Sequence, residues 1–334
     1  MRKTMLKKVV AVVLAAIMVL AIVGCGNSDD KKPAGSSESD GITIGVSWCA
    51  IESQMWAEYQ RTIQSECKEK GITLSESVAE NDIQKQNQQI EDFITKGVDA
   101  IIIAPADGDA VVSAIKKCNE ANIPVIMANR AAGKGAEVYA TISSDNKAMV
   151  AREIDYIAKN APEGKKYRCL ELVGSLTDVN AIARQEGFEE SIKKYPDQFE
   201  LVATVPTEWK GDQALAGVQN TFSSDDTVDF IFSPSDALMP SIVSGLQQLG
   251  KYKKVGEEGH VTFVTFDGAA DAVKAIRDGF VDIVSVQDAT NQAKLCVEAA
   301  ADAVAGKNAS DYTDPGFEVS TANCNTEYAD FVGY

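Results

Sequence analysis

The sequence predicts an α/β protein of two doubly wound, Rossmann-like lobes whose parallel sheets are joined by a hinge. Three observations lead there. From Ile42 onward, short apolar runs alternate with amphipathic helical stretches, the pattern of right-handed βαβ units. The strand-like runs number about ten, which divide better into two sheets than one. The aromatic and forked polar residues stand at the carboxyl ends of those runs, where open parallel sheets meet their ligands.

In chain order, residues 42–47 form the first strand, and a helix from about 55 to 70 stops at Gly71. Residues 72–78 alternate as a strand, and a helix over 83–96 stops at Gly97, a residue free to turn the chain left-handed. Residues 100–104 are continuously apolar, as a strand covered on both faces must be. A helix over about 109–119 and strands 124–128 and 138–142 complete the first set. The second half repeats the theme, with helices 147–159, 181–194, 212–222, 238–249, 272–278 and about 291–305 around strands 167–173, 201–205, 230–232, 261–266 and 281–286. The break near 143–146 gives an N-terminal lobe of 41–145 plus about 289–308. The C-terminal lobe is then 146–288 plus about 309–334.

The first 40 residues have another character. Arg2, Lys3, Lys7 and Lys8 precede an uncharged apolar run over 9–23 that ends in Gly24-Cys25. The run is short for a membrane span and suits a secretory signal over 1–24. Its end resembles the bacterial lipobox, so Cys25 is expected to be lipidated and to become the mature N-terminus. Residues 25–40 are almost wholly small and polar, a flexible tether. The chain is thereby expected outside the cell, anchored to the outer face of the membrane.

The formal charge is −17; loss of the four basic residues of the signal takes it to −21. That balance argues against nucleic acid as a partner. Besides Cys25 there are Cys49, Cys67, Cys118, Cys169, Cys296 and Cys324, none in a Cys-x-x-Cys pair, and His260 is the single histidine. No zinc site is expected. The six are read mainly as buried thiols; export permits disulfides, whose pairing stays open. Catalytic motifs are missing: no Gly-x-Ser-x-Gly, no phosphate-binding Gly-rich loop, and no calcium-loop spacing around Asp225, Asp226 and Asp229. Neither an enzyme nor a cofactor is expected.

What stands at the strand ends points to binding. Trp48, Trp56 and Trp209 all fall in strand-to-helix connections. Indole faces suit the C–H face of a sugar ring, and an exposed tryptophan is costly without a partner. Asn129-Arg130, Arg184, Ser235-Asp236, Asp267 and Gln287 occupy the same ends. Their forked groups match adjacent hydroxyls, although Asp236 also reads as a helix N-cap.

These residues, with the stretches Gly97-Val98-Asp99-Ala100-Ile101-Ile102-Ile103-Ala104-Pro105, Ala121-Asn122-Ile123-Pro124-Val125-Ile126, Arg184-Gln185-Glu186-Gly187-Phe188 and Phe266-Asp267-Gly268, resemble the ribose-type periplasmic binding proteins from about 42 to 318. The resemblance implies a monomer that captures a monosaccharide or polyol between its lobes and delivers it to an ABC permease. A sensory protein presenting a sugar-like signal to a receptor is the alternative. The resemblance also implies a ligand site of Met55 and Trp56 beside Ser53, with Asn129, Arg130, Arg184, Trp209, Ser235, Asp267 and Gln287. Asn129 departs from the usual aspartate, Ser235 from asparagine, and Met55 from one of two aromatics, for which Trp48 could supply the ring. The hydroxyl pattern recognised should therefore differ from that of ribose.

Overall fold

The computed structural model describes residues 41–334; the expected signal, Cys25 and the tether lie outside the described residues. The first half runs β1 (Thr43–Trp48), α1 (Gln54–Glu69), β2 (Thr73–Val78), α2 (Ile83–Lys96), β3 (Ala100–Ala104), α3 (Val112–Glu120), β4 (Val125–Asn129) and β5 (Ala140–Ser144). The second runs α4 (Asn146–Asn160), β6 (Tyr167–Val173), α5 (Val179–Ile192), β7 (Phe199–Pro206), α6 (Gly211–Ser224), β8 (Phe230–Phe232), α7 (Met239–Gln248), β9 (Thr262–Asp267), α8 (Ala270–Arg277) and β10 (Ile283–Val286). Then come α9 (Ala289–Val304), β11 (Tyr312–Asp314) and β12 (Phe317–Ser320).

Local signals set the element ends. The Asp82 carboxylate accepts the Lys85 N–H at 2.9 Å to start α2, and Gly97 ends that helix at φ 71°, satisfying backbone groups the helix cannot pair itself. Ser53 caps α1 in the same way, accepting from Trp56 N.

Two six-stranded sheets result, ordered β11-β5-β4-β3-β1-β2 and β12-β10-β9-β8-β6-β7. All neighbours are parallel except β10 and β12. Helices cover both faces of each. In lobe 1, Ile44, Val46 and Trp48 pack under α1 and α9, while Ile101 and Ile103 pack under α2 and α3. In lobe 2, Leu170 and Leu172 face α6 and α7. Phe230 and Phe232 face α4 and α5, with Phe188 stacked on Phe232 at 4.7 Å. The six described cysteines are all buried and unpaired.

The chain passes between the sheets at Asp145, at Gln287–Asp288 and at Pro315–Gly316. Asp314 ties the three passages together. Its Oδ2 accepts from Asp288 N at 2.7 Å and its Oδ1 from Gly316 N at 3.0 Å, and its carbonyl accepts from Asp145 N at 2.9 Å. Gly316 is held at φ 59°, where a Cβ would lie 2.8 Å from the Val286 carbonyl, so no larger residue fits this passage. The third passage falls later than the expected boundary near 309, because Tyr312–Asp314 adds a parallel strand to the first sheet beside β5.

Candidate functional site

Counted from its own first strand, each sheet has the order 2-1-3-4-5-6, which leaves a crevice at the carboxyl ends where the winding reverses. The crevices of the two lobes face each other and enclose a cavity of about 120 Å³. Lobe 1 lines it with Cys49, Ala50, Glu52 and Ser53 after β1, Met55 and Trp56 from α1, Asn81 after β2, and Asn129 and Arg130 at the end of β4. Lobe 2 contributes Asp178, Asn180 and Arg184 around the start of α5, Trp209 after β7, Ser235 and Ala237 after β8, and Asp267 ending β9. One water needs roughly 10–15 Å³ of such space, so the cavity has room for a small molecule. An outer chamber of about 270 Å³ shares Asn81 and Trp209 with it.

The polar groups are joined in one lattice. Asp267 accepts Arg184 Nη1 at 3.1 Å and Gln287 Nε2 at 2.7 Å on Oδ1, and Ser235 Oγ at 2.5 Å on Oδ2. Arg184 also donates to Asn146 Oδ1 at 2.7 Å and to the Pro234 carbonyl at 2.6 Å, and lies 3.8 Å from the Phe266 ring. Across the cleft, Arg130 Nη2 meets Asp178 Oδ2 at 2.6 Å, Nη1 donates to the Pro105 carbonyl at 3.0 Å, and the guanidinium sits 5.4 Å from the Trp56 ring. Gln54 of lobe 1 accepts the Ala270 N–H at 2.9 Å and donates to Asp271 at 3.3 Å. It thereby serves the start of α8, which has no side-chain cap of its own.

Burial pulls the Arg184 pKa below the usual arginine range, against the opposing influence of Asp267. Burial is the largest single influence on Arg130 and works against its charge, but Asp178, Cys49 and Asp267 together outweigh it and its pKa rises. Burial and the neighbouring Asp267 push Asp236 well above an ordinary aspartate. Asn129, Trp209 and Asp267 have positive φ of 63°, 58° and 102°. Such non-glycine conformations cost about 1–3 kcal/mol each and cluster where function needs a side chain aimed.

Of the sequence-predicted residues, Ser53, Met55, Trp56, Asn129, Arg130, Arg184, Trp209, Ser235 and Asp267 are brought together around the one cavity. Two are not among its lining. Trp48 is fully buried in the lobe 1 core, edge-on to Trp56 and Tyr59, its indole N–H given to Glu76 at 2.9 Å. It lies on the same face of β1 as Ile44 and Val46, so strand alternation sends it inward. Gln287 is fully buried behind the cavity, donating to Asp267 and accepting from Asn129 at 2.8 Å and Ser144 at 2.8 Å. It braces the residues that line the site.

Asn129 reaches the cavity, yet its amide is committed to protein. Nδ2 donates to Gln287 and to Gln292 at 3.2 Å, and Oδ1 accepts from Asn180 at 2.8 Å. Arg184 lies within α5, one turn from its start. Asp236 does not cap its own helix; Ser235 does, and Asp236 accepts Gly268 N and Ala269 N at 2.9 and 2.6 Å, holding the loop that aims Asp267.

Sequence reasoning missed Asp178 and Asn180. The signal was an Asp-x-Asn pair just ahead of Arg184, hidden because Asp178 is also an ordinary N-cap for α5. Cys49, Glu52 and Asn81 were missed because nothing in their spacing marks them. His260 pairs with Asp282 at 3.0 Å at the opposite end of the sheet. Among the described residues no group of three His, Cys, Asp or Glu side chains is placed to hold a metal ion.

A family model described as periplasmic binding protein domain matches residues 44–308. The ribose import binding protein of Escherichia coli (strain K12) is 32% identical over 246 residues, 74% of this chain and 78% of that one. The xylitol-binding protein of Mycolicibacterium smegmatis is 28% identical over 92% of this chain and 83% of its own length. The crystal structure of a Caulobacter myo-inositol binding protein bound to myo-inositol superposes with a TM-score of 0.80 at 19% identity, over 89% of this chain and all of that one.

Proposed function

This chain belongs to the ribose-type periplasmic binding proteins, and on that premise we propose that it captures a neutral monosaccharide or related polyol in the interlobe cavity. It then hands that ligand to the permease of an ABC importer, while lipidated Cys25 holds it at the outer face of the membrane. The observation that carries this reading is the meeting of indole rings from both lobes, Trp56 and Trp209, with the forks of Arg130, Arg184 and Asp267 around one small cavity. Ring faces stack on C–H surfaces, and forks engage vicinal hydroxyls in pairs.

Neutrality follows from charge pairing. Arg130 has Asp178 and Arg184 has Asp267, so an ionic guest would face charges already matched. Ribose, xylitol and myo-inositol, named in three relatives, share a neutral, densely hydroxylated frame. Discrimination falls to the polar groups of the cavity wall, chiefly Arg130, Asp178, Arg184, Ser235 and Asp267. Binding energy stabilises the closed form for the permease, and no covalent chemistry is needed.

A thermal-shift panel of monosaccharides, polyols, nucleosides and amino acids tests the ligand class. At a hundredfold excess over Kd, a true ligand stabilises by about 2.7 kcal/mol. A sugar or polyol should raise Tm by several degrees; a response from an amino acid or nucleoside alone contradicts the proposal. For the anchor, Cys25→Ser should move the protein from the membrane to the soluble fraction, and retention in the membrane would remove Cys25 from this role.

A further inference from the structure

Asp178 stands where three unrelated demands meet. It sits at the start of α5 in lobe 2 and is 1% exposed. Its Oδ1 accepts the Asn180 N–H at 2.9 Å, capping the helix. Its Oδ2 accepts the Trp209 indole N–H at 3.1 Å and meets Arg130 Nη2, from lobe 1, at 2.6 Å. Trp209 needs such a tie. It belongs to neither helix nor strand, and it follows Glu208 in a second consecutive left-handed conformation, φ 49° and then 58°. Its ring lies so close over Gly174 that a Cβ there would come within 2.2 Å. Arg130 depends on the same carboxylate: it is 8% exposed, and its Nε has no hydrogen-bond partner.

We propose that Asp178 is a positioning residue that makes closure of the cleft and orientation of the Trp209 ring a single event. With the lobes together, Arg130 locks the carboxylate, and the carboxylate fixes the indole that bounds both the inner cavity and the outer chamber. When the lobes part, Arg130 leaves with lobe 1, Asp178 gains water, and the ring loses its fixed acceptor. Charge-assisted bonds in a dry site are strong enough to carry such coupling. The inference deepens the binding reading but needs no ligand for its test, so the two can fail separately.

The experiment uses ligand-free full-length protein labelled with 5-fluorotryptophan. The three tryptophans give three fluorine resonances, with Trp209 assigned through Trp209→Phe. Arg130→Met, made on the opposite lobe, should shift the Trp209 resonance and increase the radius of gyration measured by X-ray scattering. Arg130→Lys, which keeps a cation, should restore part of both. In an Asp178→Asn background, Arg130→Met should add nothing further. The Trp48 resonance, deep in the lobe 1 core, should stay in place and certifies folding. Should Asp178→Asn disturb Trp48, the Met and Lys variants of Arg130 still decide. A Trp209 resonance indifferent to Arg130→Met, or moved equally by Met and Lys, would overturn the proposal.

Discussion

On the lobe 1 side of the cleft, Met55 and Trp56 form a wall that continues the hydrophobic core; on the lobe 2 side, Arg184, Ser235 and Asp267 form a wall of hydrogen bonds. Trp56 is 6% exposed and packs against Trp48 at 6.1 Å and Tyr59 at 5.7 Å. Its shape is set by packing, which tolerates modest change. Asp267 is as well buried but is held by three donors from three different segments. Its setting is a satisfied polar lattice, in which one missing partner leaves others stranded. On the proposed function, the lobe 1 wall supplies mainly an apolar face and the lobe 2 wall most of the hydroxyl-reading groups, with Arg130 of lobe 1 and Trp209 of lobe 2 as the crossovers.

The lattice breaks hardest. Asp267→Ala strands the Arg184 guanidinium, at a cost of about 3–5 kcal/mol in stability, and should weaken sugar binding at least a hundredfold; urea unfolding and calorimetric titration measure the two. Wild-type affinity would remove Asp267 from the site. Next comes a contrast between two tryptophans. Trp48→Ala empties core volume and should cost about 3–5 kcal/mol of stability with affinity kept within a fewfold. Trp209→Ala should leave unfolding nearly unchanged and cost about 1–2 kcal/mol of binding. Equal effects of the two on both readouts would erase the distinction between core and cleft aromatics.

That contrast also marks what the residues reveal unaided. Both tryptophans follow strand-like runs, Trp48 directly after 42–47 and Trp209 four residues after 201–205; the alternation Ile44, Val46, Trp48 marks the first as a core residue, and its parity was legible and outweighed by position. The sheets and most cavity residues were readable because parallel strands carry continuous apolar runs and end in short polar loops. Tyr312–Asp314 was not, since three residues show no period. Gln287 stands at the end of β10 as expected, but whether an amide at a strand end faces the cavity or braces its neighbours depends on partners distant in sequence, here Asn129 and Ser144. Asp178 hid behind its helix-capping role.

The smallest expected effect lies beneath the lobe 2 wall. Glu171 is fully buried on β6, bonded to Thr204 at 2.9 Å with its other oxygen unpartnered. Burial raises its pKa from 4.5 to about 8. Because the folded value is the higher one, the folded state holds this proton more tightly. Stability from this group is therefore complete below about pH 4.5 and is lost as pH rises through about 8. Glu171→Gln should gain stability relative to the parent as pH rises from 4 to 8, read from urea melts at both values, with sugar affinity unchanged. A constant difference across that range would show that the carboxyl does not titrate there.

Native mass spectrometry of protein purified without dialysis, set beside the Asp267→Ala variant, tests most directly whether the two walls grip a neutral hydroxylated guest. The account predicts an adduct with the mass of a single monosaccharide or polyol in the parent and its loss in the variant. An adduct identified as an amino acid, nucleotide or organic acid, or a sugar retained undiminished by Asp267→Ala, would contradict it.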